Sequence, residues 1–374
     1  MTMFRRSAAP PPFDVDAVRA AVGRVEDPEI HRPIGDLGMV GAIGADRNGT
    51  VTVEIRLTTP SCPLKETFRS EVTVAVRNVV PAASVDIAFG VLDDRARRDL
   101  AIQLRGPETG GIPLVAPRIY AVASGKGGVG KSSVTANLAV ALADQGLAVG
   151  LLDADVWGYS VPQLFGVRRA PVALNGIMFP IEAHGVRLMS TGFLVGEGEP
   201  VIWRGPMLHK ALEQFLTDVH WGELDVLLMD LPPGTGDITL SLLELVPSAA
   251  LLAVTTPQPA ARTVASRVGR MALDARMPVA GVVENMSAAS CQACGHQTPL
   301  FGEGGGAQLA EELGVDLLAQ VPLDIAIREA GDEGVPVVRR DPTSGSAHAF
   351  RSLAASLPTV RRSIVGVPLP LSVA

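Results

Sequence analysis

The sequence predicts an α/β protein with a mostly parallel, doubly wound sheet, preceded by a small α+β domain. From residue 118 onward, short apolar runs alternate with helical stretches, which is typical of parallel strands covered on both faces by helices. These runs are residues 119–123, 148–152, 226–229, 249–254, 279–283 and 317–321. A segment at 105–117 with three prolines and three glycines separates this region from the preceding part of the chain.

The preceding part of the chain carries the periodicities of a small α+β domain. Residues 14–25 place valines at spacings of three and four, which predicts a helix. Residues 50–57 alternate apolar and polar side chains as a half-buried strand does, and a helix at 64–79 and a strand at 83–89 follow. The predicted boundaries are a disordered lead at 1–13, the small domain at 14–100, a linker at 101–117, the large domain at 118–360 and a tail at 361–374.

Composition and charge narrow the range of partners. The chain has 374 residues, 47% of them hydrophobic, which is enough for two domains. It contains no apolar run of about 18 or more residues, so no membrane span is predicted. The formal net charge of −7 disfavours nonspecific binding to nucleic acid or to anionic lipid. The N-terminal residues lack the apolar segment of a secretory signal, and we therefore expect a cytoplasmic protein without a membrane or nucleic-acid partner.

A phosphate-binding motif lies directly after the strand predicted at 119–123. Residues 125–132 match the pattern G-x-x-x-x-G-K-S/T, and a helix is predicted at 134–145. Glycines let the backbone N–H groups of such a loop turn toward a phosphate, and the helix N-terminus adds partial positive charge. Lys131 is expected to neutralise the β- and γ-phosphate oxygens, and Ser132 to ligate Mg²⁺. The predicted nucleotide-binding residues of this loop are Gly125, Lys126, Gly127, Gly128, Val129, Gly130, Lys131, Ser132 and Ser133.

A second lysine, Lys126, stands inside the loop. It is poorly placed to reach the γ-phosphate of its own subunit, so we expect it to act on the nucleotide of a facing subunit, as an arginine finger does. Hydrolysis would then require a dimer with nucleotide in its interface. The alternative is a solvated lysine without a catalytic role.

Three aspartates follow later strands of the predicted sheet. Asp153 and Asp155 come after the run at 148–152, and Asp230 comes after the run at 226–229. Carboxylates at the carboxyl ends of neighbouring strands converge on the bound metal and the attacking water. We expect Asp155 to orient the water, and Asp153 and Asp230 to hold Mg²⁺. The sequence has no guanine-binding NKxD motif, so ATP is the expected nucleotide.

The chain has three cysteines, and only two residues separate Cys291 from Cys294. Such sparse use points to metal or redox chemistry rather than to disulfides. Two thiolates supply half of the four ligands that a zinc site or an iron–sulfur cluster needs. His296 and another group could complete a zinc site, or two chains could each contribute a pair on the axis of a C₂ dimer. A redox pair is the third alternative.

Several motifs together resemble those of the Mrp/ApbC family of iron–sulfur carrier ATPases, which belongs to the deviant-Walker MinD/ParA class of P-loop NTPases. The motifs are the loop at 125–132, Asp153-Ala-Asp155, the segments 202–207 and 230–237, Thr255-Thr-Pro-Gln258, and Glu284-Asn-Met-Ser287 before the cysteine pair. The resemblance extends from about residue 118 to about residue 358. MinD and ParA proteins lack the cysteine pair, which makes the resemblance specific.

The resemblance implies a homodimer that binds and hydrolyses ATP. A four-iron four-sulfur (4Fe-4S) cluster would bind at the subunit interface between Cys291 and Cys294 of each chain and then pass to client apoproteins. The resemblance also implies that Asn285 contacts the adenine base. The alternative functions are a MinD/ParA-type positioning ATPase without a cluster and a zinc-bridged scaffold dimer.

The small domain carries a second resemblance. Its segments 27–30, 33–40 and 59–63 are similar to those of the MIP18-type iron–sulfur assembly domain. Cys62 stands where that domain has its cysteine, close to a predicted helix start that would favour the thiolate. The resemblance implies that Cys62 receives or relays a cluster. The alternative is a buried cysteine that acts as a small apolar side chain.

Overall fold

The computed structural model describes residues 13–45, 50–59, 62, 64–105, 116–156, 158–194, 205–235, 245–290, 294 and 296–358. These residues form two compact units. The first consists of the described residues up to Arg105 together with Val172–Phe179, and the second contains the remainder. None of the helices in these ranges is long and apolar enough to cross a lipid bilayer.

The first unit is a three-stranded sheet covered by helices. Its elements are α1 (Val15–Gly23), β1 (Glu26–Asp27), β2 (Arg32–Pro33), β3 (Val40–Ala45), β4 (Val51–Leu57), α2 (Lys65–Val79), β5 (Val85–Val91) and α3 (Asp94–Arg105). Strand β4 pairs antiparallel with β3 and parallel with β5. The alternating side chains of β4 place Val51, Val53, Ile55 and Leu57 in the core. The predicted helices and strands of the small domain are confirmed, and β1, β2, β3 and α3 are additional.

Helix α3 changes the predicted start of the linker. The linker was predicted at 101–117, but the helix continues to Arg105. Its residues Leu100, Ala101 and Leu104 are buried in the core of the first unit. Their spacing of one, three and four residues places them on one face of the helix, so burial of this face extends the helix past residue 100.

A short hairpin from the later part of the chain completes the first unit. It consists of β8 (Ala173–Leu174) and β9 (Ile177–Met178). The two turn residues, Asn175 and Gly176, both have positive φ, as a two-residue hairpin turn requires. Leu174, Ile177 and Phe179 are buried in the core of the first unit. The predicted large domain at 118–360 therefore contains a segment that folds with the small one.

The hairpin leads to a prediction about stability. Phe179 is 2% exposed, and Phe179→Ala is expected to destabilise the first unit by about 3–5 kcal/mol because it removes a buried aromatic ring. Hydrogen exchange followed by mass spectrometry should show lost protection in β4 and α2. The control is Leu194→Ala, since Leu194 is an exposed apolar residue of the second unit. Unchanged exchange in the first unit of the Phe179 variant would contradict the assignment of the hairpin.

The second unit contains a nine-stranded sheet with helices around it. Its strands are β6 (Arg118–Ser124), β7 (Val149–Asp153), β10 (Ile181–Ala183), β11 (Val186–Ser190), β12 (Val226–Asp230), β13 (Ala250–Thr255), β14 (Val279–Ser290), β15 (Gln297–Thr298) and β16 (Leu317–Leu323). Its helices are α4 (Lys131–Ala143), α5 (Val161–Leu164), α6 (Gly205–Thr217), α7 (Pro259–Asp274), α8 (Gly305–Leu313), α9 (Ile325–Glu333), α10 (Val337–Arg340) and α11 (Gly345–Ser356), and a 3₁₀ turn covers Thr191–Leu194.

The strand order is β10-β11-β7-β12-β6-β13-β14, and β14 also pairs with β15 and β16. All pairs are parallel except β10 with β11 and β14 with β15. The six apolar runs of the sequence all form strands of this sheet, so the predicted α/β fold with a mostly parallel sheet is confirmed. The chain runs outward from β6 in both directions, and ligands of such sheets bind where the strand order reverses. The site is therefore expected at the carboxyl end of β6.

Candidate functional site

The loop between β6 and α4 has the backbone shape of a phosphate-binding loop. Gly128 and Gly130 have φ of 79° and 78°, which side chains other than glycine adopt only with strain. At Gly125, an added Cβ would lie 2.2 Å from the backbone nitrogen of Ala265 in α7. The loop therefore needs glycine for its backbone conformation at two positions and for close packing at a third.

A cavity of about 480 Å³ opens over this loop, and its size suits a nucleotide. Its lining residues are Ser124, Lys126, Gly127, Gly128, Val129, Gly130, Lys131, Ser132, Ser133, Asp155, Gly158, Ser160, Pro232 and Pro233. The structure thus brings together eight of the nine predicted loop residues with one of the three predicted aspartates. Gly125 and the other two aspartates are not part of the lining.

The ammonium group of Lys131 lies among buried carboxylates below the loop. Its Nζ is 2.8 Å from Oδ1 of Asp230 and 4.0 Å from Oδ2 of Asp155. Ser132 donates a hydrogen bond from Oγ to Oδ2 of Asp230 (2.5 Å), and Thr135 donates one from Oγ1 to Oδ1 (2.8 Å). Asp230 is fully buried. These bonds offset the cost of burying its charge.

Thr135 is a site residue that the sequence analysis missed. It lies one helical turn after Lys131, on the same face of α4, and this spacing is the signal that could have identified it. Its Oγ1 also lies 2.9 Å from the carbonyl oxygen of Lys131, so the single hydroxyl hydrogen is shared between this carbonyl and Asp230. Thr135 therefore helps to fix both the aspartate and the first turn of the helix.

Asp153 lies at the end of β7, fully buried. Ser190 donates a hydrogen bond from Oγ to Oδ2 of Asp153 at 3.0 Å, and the two residues are register partners of the β7–β11 pair. Burial, and to a lesser degree the neighbouring charge of Asp230, raises the pKa of Asp153 to about 7. Ser190 was not predicted because β11 was not predicted.

The raised pKa of Asp153 makes stability depend on pH. Between the ordinary value of 3.8 and about 7, the folded state holds more protons than the unfolded chain. The protein without nucleotide or Mg²⁺ should therefore lose stability as pH rises through this range, with a slope approaching about 1.4 kcal/mol per pH unit. Urea unfolding at several pH values measures the slope. Asp153→Asn should reduce it, and an unchanged slope in that variant would contradict the assignment.

Asp155 is the predicted aspartate whose side chain faces the cavity. It lines the cavity and is 7% exposed, and its Oδ1 accepts a hydrogen bond from the backbone nitrogen of Gly158 at 3.1 Å. Lys126, another of the three residues predicted to be catalytic, also lines the cavity and is half-buried. Its Nζ donates to Oε1 of Gln258 at 3.1 Å. Gln258 was not predicted as a site residue, although it lies within one of the motifs that carry the resemblance.

The donor set around Asp230 fits a magnesium ion. The hydroxyl of Ser132 donates a hydrogen bond to a carboxylate oxygen of Asp230, and the negative charge of Asp230 lies close enough to Asp153 to raise the pKa of Asp153. Hydroxyl and carboxylate oxygens are the ligands that Mg²⁺ prefers, together with water and phosphate. Ser132 and the two aspartates are thus the residues that would hold the ion.

Asn285 lies beside the loop, near the middle of the long strand β14. It is 5% exposed, and its Nδ2 donates to the carbonyl of Val129 at 2.9 Å. It is not one of the residues that line the cavity. The amide is thus in contact with the phosphate-binding loop through the backbone of Val129.

The cysteine pair is reached through the end of β14. Cys291 directly follows Ser290, the last residue of the strand, and lies outside the described residues. Cys294 is exposed, as is His296. Among the residues that the structure describes, no group of three or more histidine, cysteine, aspartate or glutamate side chains is placed to hold a metal ion. Within the described part of one chain, the exposed thiol of Cys294 is therefore not accompanied by the further ligands that a metal site needs.

Cys62 has a raised pKa, contrary to the expectation from the helix start. The thiol is half-buried, and burial is the main cause of the rise. The backbone N–H of Leu64 lowers the pKa, but the negative charges of Glu29 and Asp27 raise it further. The neutral thiol is therefore favoured, because desolvation and two carboxylates outweigh the backbone donor.

A family model described as the NUBPL iron-transfer P-loop NTPase, of the ParA group, matches residues 116–358. The chain belongs to the NUBPL iron-transfer P-loop NTPase family. A second family model, described as an iron–sulfur cluster assembly protein, matches residues 15–88. As a member of this P-loop NTPase family, the protein is an ATPase, and the recognised resemblance to iron–sulfur carriers is confirmed.

Individual relatives support the same family membership. The chain is 48% identical over 366 residues to an "Iron-sulfur cluster carrier protein" of Mycobacterium bovis, which covers 95% of this chain and 96% of that protein. The protein of the same name from Deinococcus radiodurans is 44% identical and covers 91% and 94%. Among solved structures, a nucleotide-binding protein of Archaeoglobus fulgidus in complex with ADP is 38% identical, with a TM-score of 0.54, covering 61% of this chain and 90% of that one.

Proposed function

We propose that the protein is a homodimeric carrier that binds a 4Fe-4S cluster between the Cys291 and Cys294 pairs of two subunits and transfers it to apoproteins. The observation that carries the proposal is a phosphate-binding site and a Cys-x-x-Cys pair on one unit, the pair following the end of strand β14. One pair supplies two of the four thiolates that a cluster requires. A C₂ axis through the pairs supplies the other two. Cysteines held as free thiolates require a reducing compartment, so the proposal includes a cytoplasmic location.

The proposed hydrolysis step uses residues that line or underlie the cavity. Lys131 exchanges its contact with Asp230 for the β- and γ-phosphate oxygens of ATP. Ser132, Asp153 and Asp230 would hold Mg²⁺, which would neutralise charge on the phosphates when bound. Asp155 accepts a hydrogen bond from the attacking water and orients it toward the γ-phosphate.

Two further contacts complete the proposed nucleotide site. Lys126 of the partner subunit stabilises the charge that develops on the γ-phosphate, and in this structure the lysine is held by a neutral acceptor, Gln258. Asn285 contacts the adenine base, since an amide offers one donor and one acceptor that match the edge of adenine. The role of Lys126 is inferred from its place inside the loop and from its position in the cavity lining. The role of Asn285 comes from the resemblance.

Anaerobic reconstitution with iron and sulfide tests the proposal. The expected result is a brown dimer with about four irons per two chains, which Cys291→Ser and Cys294→Ser both abolish. Cys62→Ser is the matched control and should retain the cluster. A colourless protein that holds zinc, or no metal, would refute the carrier function and support a scaffold or a positioning ATPase instead.

A further inference from the structure

The phosphate-binding loop is in direct contact with the strand that leads to the cysteine pair. Besides the hydrogen bond from Asn285 to Val129, the strand leaves no space beside Gly130. A Cβ on Gly130 would lie 2.2 Å from Nδ2 of Asn285 and 3.6 Å from Cε of Met286. The amide of Asn285 therefore fills the space beside Gly130, and the loop cannot move toward β14 without displacing this side chain.

The strand has an irregular backbone at this point. Met286 has φ of 57°, in the left-handed region, which is uncommon for a long side chain and costs about 1–3 kcal/mol. The pairing with β16 is also interrupted, because Asn285 pairs with Val321 and the next pair is Ala289 with Leu323. More residues of β14 than of β16 lie between the two pairs. Residues 286–288 thus form a bulge, which we call the β14 bulge.

The strand before the bulge is firmly held. Glu284 is 1% exposed, and its carboxylate accepts hydrogen bonds from the backbone nitrogen of Gly306 (2.5 Å) and from Nε2 of Gln320 (2.7 Å). These bonds connect it to the start of α8 and to β16. A displacement of Asn285 is therefore not readily accommodated by movement of the part of β14 that precedes it.

The strand after the bulge leads to the cysteines. Ser287 donates from Oγ to the carbonyl of Val321 at 3.1 Å, and Ala289 and Ser290 pair with β15. Cys291 is the next residue in the chain. The bulge thus lies between Asn285, which contacts the loop, and the segment that carries the thiols, and it contains the strained residue Met286.

We infer that Asn285 and Met286 are positioning residues that couple the state of the phosphate-binding loop to the cysteine pair through the β14 bulge. Phosphates bind to the backbone N–H groups of the loop, so nucleotide binding changes the position of the Val129 carbonyl and of Gly130. Asn285 and Met286 follow, and the left-handed Met286 is the point where the strand changes conformation. This coupling goes beyond the proposed cluster function. Its biological role rests on that function, because the thiols are proposed to hold the cluster.

Alkylation of the thiols in protein without cluster tests the coupling. The rates at Cys291 and Cys294 are measured with N-ethylmaleimide and mass spectrometry, without nucleotide and with saturating ADP or a non-hydrolysable ATP analogue. In the wild type we expect nucleotide to change the rates by about fivefold or more. In Met286→Gly, glycine removes the side chain and relieves the strain of the left-handed backbone, and the nucleotide effect should fall to about onefold.

Met286→Leu is the matched control, because it retains an apolar side chain with a similar backbone preference, and it should keep the nucleotide effect. Asn285→Ala provides a second variant and should lose the effect at saturating nucleotide. Circular dichroism shows that each variant is folded, and titration with a fluorescent ATP analogue sets the concentration at which each variant is saturated with nucleotide. A nucleotide effect that persists in Met286→Gly and Asn285→Ala would overturn the inference.

The same experiment separates the inference from the proposed function. If the wild type binds a cluster but nucleotide leaves its thiol reactivity unchanged, the coupling is refuted and the carrier function stands. If nucleotide changes thiol reactivity, and Met286→Gly abolishes this change, the coupling is supported even where reconstitution yields no cluster. In reconstituted protein, a chelator should remove the cluster at a rate that depends on nucleotide in the wild type and in Met286→Leu, but not in Met286→Gly.

Discussion

Lys131→Met should abolish most ATP hydrolysis and destabilise the protein at the same time. The methionine keeps the volume of the lysine stem but removes the ammonium group, which is 2.8 Å from Asp230. Because Asp230 and Asp153 are fully buried, removal of the cation leaves two close carboxylates without a balancing charge. Breaking a buried pair of this kind costs about 3–5 kcal/mol. Loss of one donor to the transferred phosphate lowers kcat by about 10²–10³.

Steady-state hydrolysis and urea unfolding of the second unit measure the two effects. All three tryptophans of the chain, at 157, 203 and 221, follow residue 118, so intrinsic fluorescence reports on this part of the protein. Lys126→Met is the matched control. Lys126 is half-buried with a neutral acceptor, so the control should change stability by less than about 1.5 kcal/mol. Equal stability losses in the two variants would show that the buried charge cluster is not what Lys131 stabilises.

The parts of the site that could be predicted from the sequence are those fixed by local geometry. The loop motif specifies its own backbone through glycines, and an aspartate at the end of a parallel strand necessarily lies near the loop. Asp153, Asp155 and Asp230 were identified in this way, and all three lie near Lys131 in the structure. The finer division, with Asp155 at the cavity and the other two below it, depends on packing that sequence patterns do not contain.

The residues that were missed come from long-range pairing. Ser190 reaches Asp153 only because β11 adds to the edge of the sheet beside β7, and five residues without strong alternation did not indicate that strand. The contact of Asn285 with Val129 joins residues 156 positions apart. No periodicity encodes such a contact, since it results from the order of strands in the sheet.

The packing of the 172–179 hairpin in the first unit was not predicted, for a different reason. Its Asn175-Gly176 turn is a strong local signal for a hairpin, but a local signal does not say which core the hairpin joins. Leu174 and Phe179 are equally suited to any apolar core. Only the packing in the first unit decides the assignment.

A mixture of two inactive variants should recover activity if Lys126 acts across a dimer. Asp155 belongs to the cavity of its own subunit, whereas Lys126 is proposed to serve the nucleotide of the partner subunit. Lys126→Ala and Asp155→Ala homodimers should therefore each have very low hydrolysis. In a mixed dimer, the site with an intact Asp155 receives Lys126 from the other subunit and becomes complete. The second site of the same dimer lacks both groups.

The size of the recovery follows from random pairing. An equal mixture gives about half mixed dimers, each with one complete site of two, so hydrolysis should reach about a quarter of the wild-type rate. The dimers are exchanged without nucleotide and measured at saturating ATP. If Lys126 acts within its own subunit, the mixed dimer has no complete site and the mixture stays inactive. Recovery would therefore establish both the shared site and the dimer, because a monomer cannot complement itself.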